Sequence, residues 1–445
     1  MFWTTLRMRG IHAAPVLVSL MLCATASSMP PEVWFSPGAS YDAAEPEPKV
    51  VIADYIDDDT HLDLVITSAG NDSNPGGVTV LLGDGLGGFG NDAPFDSGVQ
   101  PYGLASADFD RDGHADLAVT QGGHDSTAVN IWMGDGSGGF VLGATLTAGK
   151  FPLAAAAGDF NHDSKPDLAV ANNVLYGVTI FIGNGDGTFG AAQHLPGQAG
   201  LMATDVSAGL INADAHLDLA VSHYSGESIF LGNGAGGFTY AGGAGSSLIH
   251  EANDLGDIDG DGRLDLAAIE FYGERLLVCY GNGDGTFGPP EAHDIGFRCE
   301  DVRIADLNGD GHAEVLVSHQ SLGVLLFLNS GCGDLFPPQT VATGTQNTCL
   351  VTGDFDEDSL PDLAGMCRNY GDTPYATIRL QYPMPPTLPG DFDGDGHVGL
   401  SDLSRLLSSF GLCHGDSTFD AYTDLNNDCC VGLADLSSLL EWYGV

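Results

Sequence analysis

Between residues 30 and 385 the apolar positions come in short runs separated by Asp-rich or Gly-rich stretches, and no segment holds a helical period. Runs such as Leu117-Ala-Val-Thr and Leu168-Ala-Val predict short strands. A second set of strands enters glycine-rich turns: VTVLLGDGLGGF (78–89), VTIFIGNGDGTF (178–189), SIFLGNGAGGF (228–238) and LLVCYGNGDGTF (276–287). Glycine at these fixed offsets supplies the positive-φ positions of tight hairpins. Only beyond residue 389 does the pattern become helical, with Leu403, Leu406, Leu407 and Phe410, and then Leu436, Leu439, Leu440 and Tyr443, spaced i, i+3, i+4, i+7.

An acidic loop precedes the first kind of strand and recurs seven times. Its closing acids are Asp63, Asp116, Asp167, Asp218, Asp265, Glu314 and Asp362, so the repeat is about fifty residues long. A unit of that length with four short strands has the size of a propeller blade. The predicted fold is mainly β, a seven-bladed propeller over residues 27–382. A proline-rich linker follows at 383–389, and a small helical calcium-binding domain at 390–445. The seventh unit lacks a fourth strand, and the segment from Glu32-Val-Trp-Phe35 onward is expected to supply it and close the ring. Cys349 and Cys367 lie five residues either side of their loop and are expected to face each other across the hairpin, within reach of a disulfide if both side chains share a face.

The complete loops read D-x-[DN]-x-D-x-x-x-[DE]. They hold Asp108, Asp110, Asp112 and Asp116; Asp159, Asn161, Asp163 and Asp167; Asp257, Asp259, Asp261 and Asp265; Asp306, Asn308, Asp310 and Glu314; and Asp354, Asp356, Asp358 and Asp362. Hard oxygens at positions 1, 3, 5 and 9, with the carbonyl at 7, match the appetite of Ca²⁺ for six to eight oxygen ligands in irregular geometry. Asp/Gly-rich turns arise from turn preference alone, but that does not repeat one acid spacing in five loops. Two loops are degenerate. The first keeps Asp57, Asp59 and Asp63 with Tyr55 at position 1, where Asp54 could shift in. The fourth keeps Asn212, Asp214 and Asp218 behind Leu210, and is expected to be weak or empty. His61, His114, His216 and His312 recur at position 7, where the side chain is expected to point to solvent.

The paired motifs resemble the FG-GAP repeat, VCBS-type repeats included, over roughly residues 32–385. The resemblance implies an integrin-α-like propeller with calcium in its hairpin loops. At the C-terminus, Asp391, Asp393, Asp395 and Asp402 occupy positions 1, 3, 5 and 12 of an EF-hand-type loop. Asp424, Asn426, Asp428 and Asp435 repeat the pattern thirty-three residues later. The duplicated loop and helix resemble a type I dockerin, which implies a cohesin-like partner. Positions 10 and 11 depart from the usual Ser/Thr pair, being Leu400-Ser401 and Leu433-Ala434, and Cys429 stands where the turn glycine belongs. Cys413 with Cys429 or Cys430 is a candidate local staple.

Charge and termini narrow the function. Sixty acids against thirteen Lys and Arg give a net charge of −47, which excludes binding to nucleic acid or anionic lipid through a basic surface. Half of those acids stand at the ligand positions above. Arg7 and Arg9, the apolar stretch Ala13 to Cys23 and Ala24-Thr-Ala26 predict a signal peptide at 1–26 and a secreted or cell-surface protein with no transmembrane segment. The eight remaining cysteines fit an oxidising compartment. The expected protein is a monomeric, calcium-stabilised binding module that presents a protein or glycan surface and is tethered through its tail. The rival is an extracellular polysaccharide lyase or hydrolase. No nucleophile–base signature stands out, so no catalytic residue is assigned. Aromatics clustered in the central funnel would favour glycan binding, and an isolated carboxylate pair there would favour catalysis.

Overall fold

A computed structural model describes residues 33–382, apart from 37, 43–45, 71–75, 92–93, 124, 175, 196–201, 246–249, 271–273, 297, 330–334, 345 and 369–373. It also describes 398–413, 423, 425, 430–441 and 443. The expected signal peptide, the linker 383–389, Cys332 and Cys429 lie outside the described residues, as do Asp391, Asp393, Asp395, Asp424, Asn426 and Asp428. The chain divides into two compact units, one spanning 30–386 and one that includes 387–445.

The first unit holds seven four-stranded antiparallel sheets, each a blade. Blade 2 is typical: Pro101–Ala107, Asp116–Gln121, Ala128–Gly134 and Phe140–Thr147, paired in sequence order. The first strands are Pro48–Asp54, Pro101–Ala107, Lys150–Gly158, Ala203–Gly209, His250–Gly256, Cys299–Ala305 and Asn347–Gly353. Each lies against the first strand of the next blade, round to the seventh against the first, so they line the central channel. The second strands, among them Asp63–Ser68 and Glu314–His319, are buried throughout, apart from Val174 at the end of that of blade 3. They read as near-continuous apolar runs because neighbouring blades cover both faces. An apolar cluster fills each of the seven blade boundaries, including Val51, Leu64 and Ile66 against Phe355, Ala364 and Ile378 between blades 1 and 7.

Closure uses the N-terminal segment, as the missing strand requires. Ala39–Asp42 pairs with Tyr375–Arg379 as the fourth strand of blade 7. The predicted Trp34–Phe35 pairs instead with Gln381–Tyr382 in a separate two-stranded ribbon.

The cysteine expectation fails at Cys349 and Cys367, which are free and buried. Every first strand carries a bulge, and in blade 7 it falls between Asn347 and Cys349. Cys349 therefore opposes Met366, and Cys367 opposes Asn347. Since side chains alternate faces along a strand, the two thiols point to opposite sides of the sheet. The Cys367 thiol donates to the Thr343 carbonyl at 2.9 Å. Cys279 and Cys299 are free and buried too.

In the second unit, α1 (Leu400–Ser409) and α2 (Leu433–Glu441) follow the two predicted loops, and a disulfide joins Cys413 to Cys430. Val398, Leu406, Val431 and Leu439 form the core, with Leu403, Leu425 and Leu436 packed on it. Half of each predicted apolar stripe stays outside: Leu407 and Leu440 are about half exposed, and Phe410 and Tyr443 are more than a third exposed. Among the described residues no helix is long and apolar enough to cross a membrane.

Candidate metal-binding loops and central channel

In every blade the acidic loop joins the first strand to the second, and its ninth residue opens the buried second strand. Asp116 is fully buried; one carboxylate oxygen accepts from the Phe109 amide and the other from the Gly134 amide, both at 2.8 Å. The same two-sided clamp recurs at Asp63, Asp167, Asp218, Asp265 and Asp362. The ninth acid thus ties its own loop to the turn that ends the third strand. Glu314, one methylene longer, holds the Leu307 amide at 2.8 Å but the Asn329 amide only at 3.5 Å. Burial outweighs these amide bonds and pushes the ninth acids upward, to about 6 for Asp116, Asp167 and Asp265, about 7 for Asp362 and about 8 for Glu314.

Three loops bring carboxylates from positions 1, 3 and 9 together: Asp108, Asp110 and Asp116; Asp257, Asp259 and Asp265; Asp354, Asp356 and Asp362. Their ligand oxygens lie within 4.8 Å of one another. Three hard anionic oxygens at this spacing fit Ca²⁺. Asp110, Asp259 and Asp356 are raised, by burial first and by their neighbours' charges. A divalent cation would relieve that repulsion. In the third and sixth loops Asn161 and Asn308 stand at position 3 and offer a neutral oxygen. The latter's Nδ2 donates to Glu314 at 3.2 Å.

The fifth-position acids are not part of these triads. Asp112, Asp261 and Asp358 accept instead from the amides of His114, Arg263 and Leu360 at 2.9 Å, which fixes the turn. In the first loop Asp54 does not move into the vacant role; its carboxylate accepts from the Ser106 hydroxyl of blade 2 and from the Tyr55 amide. In the fourth loop Leu210 is exposed and the Asn212 side-chain Nδ2 donates to Asp214 at 3.0 Å. In the tail, Asp402 and Asp435 are buried and accept from the amides of Gly399 and Gly432 at 2.8 and 2.6 Å, which caps the helix starts.

The position-7 histidines do not simply point to solvent. His61 Nδ1 lies 2.5 Å from Glu357, His114 Nδ1 2.9 Å from Asp58 and His216 Nδ1 2.8 Å from His162 Nε2. Each partner is the fourth residue of the preceding blade's loop.

The opposite end of the first strands forms a channel mouth that motif spacing did not reveal. Lys49, Tyr102, Glu251 and Glu300 occupy equivalent places in four blades. Lys49 Nζ stands 4.7 Å above the Tyr102 ring, which packs edge-on against Phe151. Glu300 accepts from Gln320 at 2.7 Å, whereas the Glu251 carboxyl has no hydrogen-bond partner among the described residues. Burial, then Glu300 and Asp205, push Glu251 up to about 7. Deeper in the channel, Asp205, Asp254 and Asp301 each accept from an inner-strand amide of the next blade, at Asn253, Ile304 and Leu350. Burial works against the charge on Arg303, but Asp301, Asp254 and Asp205 more than offset it and hold its pKa above the ordinary value. Aligning the first strands on their bulges picks out these charges, which interrupt rows otherwise filled by small or apolar residues such as Val50, Gly103, Ala154 and Ala252.

The FG-GAP-like repeat model matches residues 56–119, 159–221, 257–317 and 306–365. No curated protein matches. Among solved structures, an Agrocybe aegerita lectin described as recognising non-reducing terminal N-acetylglucosamine superposes with a TM-score of 0.47 at 20% identity, over 67% of this chain and 81% of that one. Likeness of that degree says nothing of what this chain binds. The four repeat matches, which together span more than half of the sequence, place the chain in the FG-GAP-like repeat family.

Proposed function

We propose that this is an extracellular, calcium-stabilised propeller whose channel mouth binds a glycan. The observation that supports the calcium half is the set of three carboxylate triads, all in the same position of their blades. For ligand binding, the end opposite the acidic loops supplies the polar mouth around Lys49, Glu251 and Glu300. Its loops carry Tyr176, nearly half exposed and stacked on His194 at 3.9 Å, and the exposed Tyr224. A flat aromatic pair at the same end of the propeller as these polar groups suits the face of a sugar ring. The Cys413–Cys430 disulfide fits an oxidising compartment. A glycan array probed in calcium and in chelator tests the reading. Binding in calcium that weakens in Tyr176→Ala or Lys49→Ala is expected; an array blank in calcium, with peptide ligands retained on the same face, would turn the reading to a protein partner.

The C-terminal unit is proposed as the tether. Its two halves match: Leu403 and Leu436 pack alike, Asp402 and Asp435 cap alike, and Leu400 and Leu433 are both about three-quarters exposed. This duplication supports a dockerin-like module with calcium in both loops and a cohesin-like partner. Leu400→Asp with Leu433→Asp should abolish capture by such a partner without changing the helix content.

A second reading, hydrolysis or lysis of a polysaccharide, draws on Glu251. A carboxyl held near neutral pKa beside a carboxylate is the arrangement of an acid–base pair. Release of reducing or unsaturated ends from a polysaccharide panel, lost in Glu251→Gln, would establish it.

A further inference from the structure

We propose that the seven acidic loops are coupled in a closed ring, so that a divalent cation held in one loop strengthens the loop of the preceding blade. The inference rests on the calcium reading above and concerns how the sites act on one another. Its basis is a contact made at all seven boundaries, always in the same direction. The turn that follows the third strand of one blade grips the second or fourth residue of the previous blade's loop, or the third through backbone pairing.

In blade 1 the Gly87 amide donates to the Phe355 carbonyl of blade 7 at 2.9 Å. Gly187 and Gly236 do the same to Phe109 and Phe160, at 3.1 and 3.0 Å. At the boundary of blades 2 and 1, the Asp58 amide donates to the Gly136 carbonyl at 3.0 Å, and Asn212 of blade 4 pairs with Asp284 of blade 5. In blades 6 and 7 a side-chain amide makes the contact. Asn329 Nδ2 donates to the Ile258 carbonyl at 2.6 Å and Gln381 Nε2 to the Leu307 carbonyl at 2.5 Å. One bond is thus made by two chemistries, which identifies the contact itself as the common requirement.

Two further contacts run the same way. Phe89, Phe189 and Phe238 from the turns pack edge-on against Phe355, Phe109 and Phe160 of the preceding loops, with centroids 5.4 to 5.5 Å apart. The position-7 side chains His61, His114 and His216 reach position 4 of the preceding loop. Within a blade, the ninth acid ties loop to turn through its two oxygens. A cation that fixes this acid therefore fixes the turn, and the turn holds the second residue of the loop before it. Coupling passes through contiguous, discrete bonds and needs no change of fold.

The test is a double-mutant cycle on the full chain, with calcium binding measured by equilibrium dialysis. Asp306→Asn removes a ligand from the sixth loop, and Asn329→Leu cuts the link from blade 6 to the fifth loop without touching any fifth-loop ligand. Asp306→Asn should lose one ion and weaken a second site about fivefold or more, and in the Asn329→Leu background it should no longer weaken that second site. Asp354→Asn with Gln381→Met repeats the cycle one boundary on. It decides the matter if circular dichroism shows Asn329→Leu to be misfolded. Loss of one ion with every other affinity unchanged within about twofold would overturn the coupling and leave the calcium reading standing. A wild-type chain that binds no calcium would overturn both.

Discussion

At the scale of single residues, the ninth acid and the third acid of a loop do different work although both face the same site. Asp265 accepts from the amides of Ile258, Asp259 and Gly281, so its carboxylate belongs to the hairpin whether or not a cation is present. Asp265→Asn puts an NH₂ group against a backbone donor and should cost about 1–3 kcal/mol in chelator, and more in calcium, where a ligand is lost as well. Asp259→Asn should lose stability only in calcium. Denaturant melts of both variants in the two buffers would show it, and an Asp265→Asn that costs nothing in chelator would mean the ninth acid has no structural role. The pH dependence has a definite sign. The folded-state pKa values of about 6 to 8 for Asp116, Asp167, Asp265, Asp362 and Glu314 lie above their unfolded values. Their contribution is full below about pH 4 and is lost as pH rises through 6 to 8. In chelator the melting temperature should fall from pH 5 to pH 8, and calcium should remove that fall by holding the ionised form. A melt that rises over this range in chelator would contradict the assignment. The spacing of these acids was visible in the sequence. Their amide partners were not, because the Gly134 and Gly281 turns lie on another strand and nothing in the loop names them.

At the scale of elements, the seven blades were legible because the acidic loop and the strand after it recur in all seven, and the glycine turn in most of them. What escaped was register. A bulge in the first strand shifts pairing by one residue, and that single step separates Cys349 from Cys367. The channel charges escaped for a different reason: Glu251, Glu300 and Arg303 occur once each and have no motif. The helices of the tail were legible in their apolar spacing, but which half of each stripe is buried was not. A unit this small buries only a narrow ridge, Leu403 with Leu406 and Leu436 with Leu439. Such a core needs support from the Cys413–Cys430 bridge, worth roughly 3 kcal/mol for a loop of this length, and from the two expected calcium loops. Residues 387–445 expressed alone should be unfolded in chelator with reductant and helical in calcium under oxidising conditions. Full helicity by circular dichroism in chelator with reductant would show that neither support is needed.

At the scale of the whole propeller, the ring closes by one short strand, and that closure sets how the molecule fails. Ala39–Asp42 is the outer strand of blade 7, paired along its length with Tyr375–Arg379, and its Tyr41 packs edge-on against Phe89 of blade 1. Beside it, Ser36 links the two ends, its amide donating to Leu380 at 2.7 Å and its hydroxyl accepting from the Leu380 amide at 3.0 Å. Arg379 donates to the Ser36 carbonyl at 2.7 Å. Removing residues 27–42 leaves the buried core of every boundary but strips Tyr41 from that between blades 7 and 1 and Val33 and Phe35 from that between blades 6 and 7, exposes the edge of Tyr375–Arg379 and frees the chain ends. An unpaired edge with apolar Ala376 and Ile378 behind it invites pairing with another chain. The truncated protein should therefore still bind calcium at the second and fifth loops, remote from the seam, while its melting temperature drops and its mass by light scattering shifts from one chain toward two or more. Ser40→Pro in the full-length chain adds the same defect without deleting anything, since proline cannot supply an amide to the pairing. A truncated chain that stays monomeric with an unchanged melt would mean that packing between blades 7 and 1 alone closes the ring and the seam strand is dispensable.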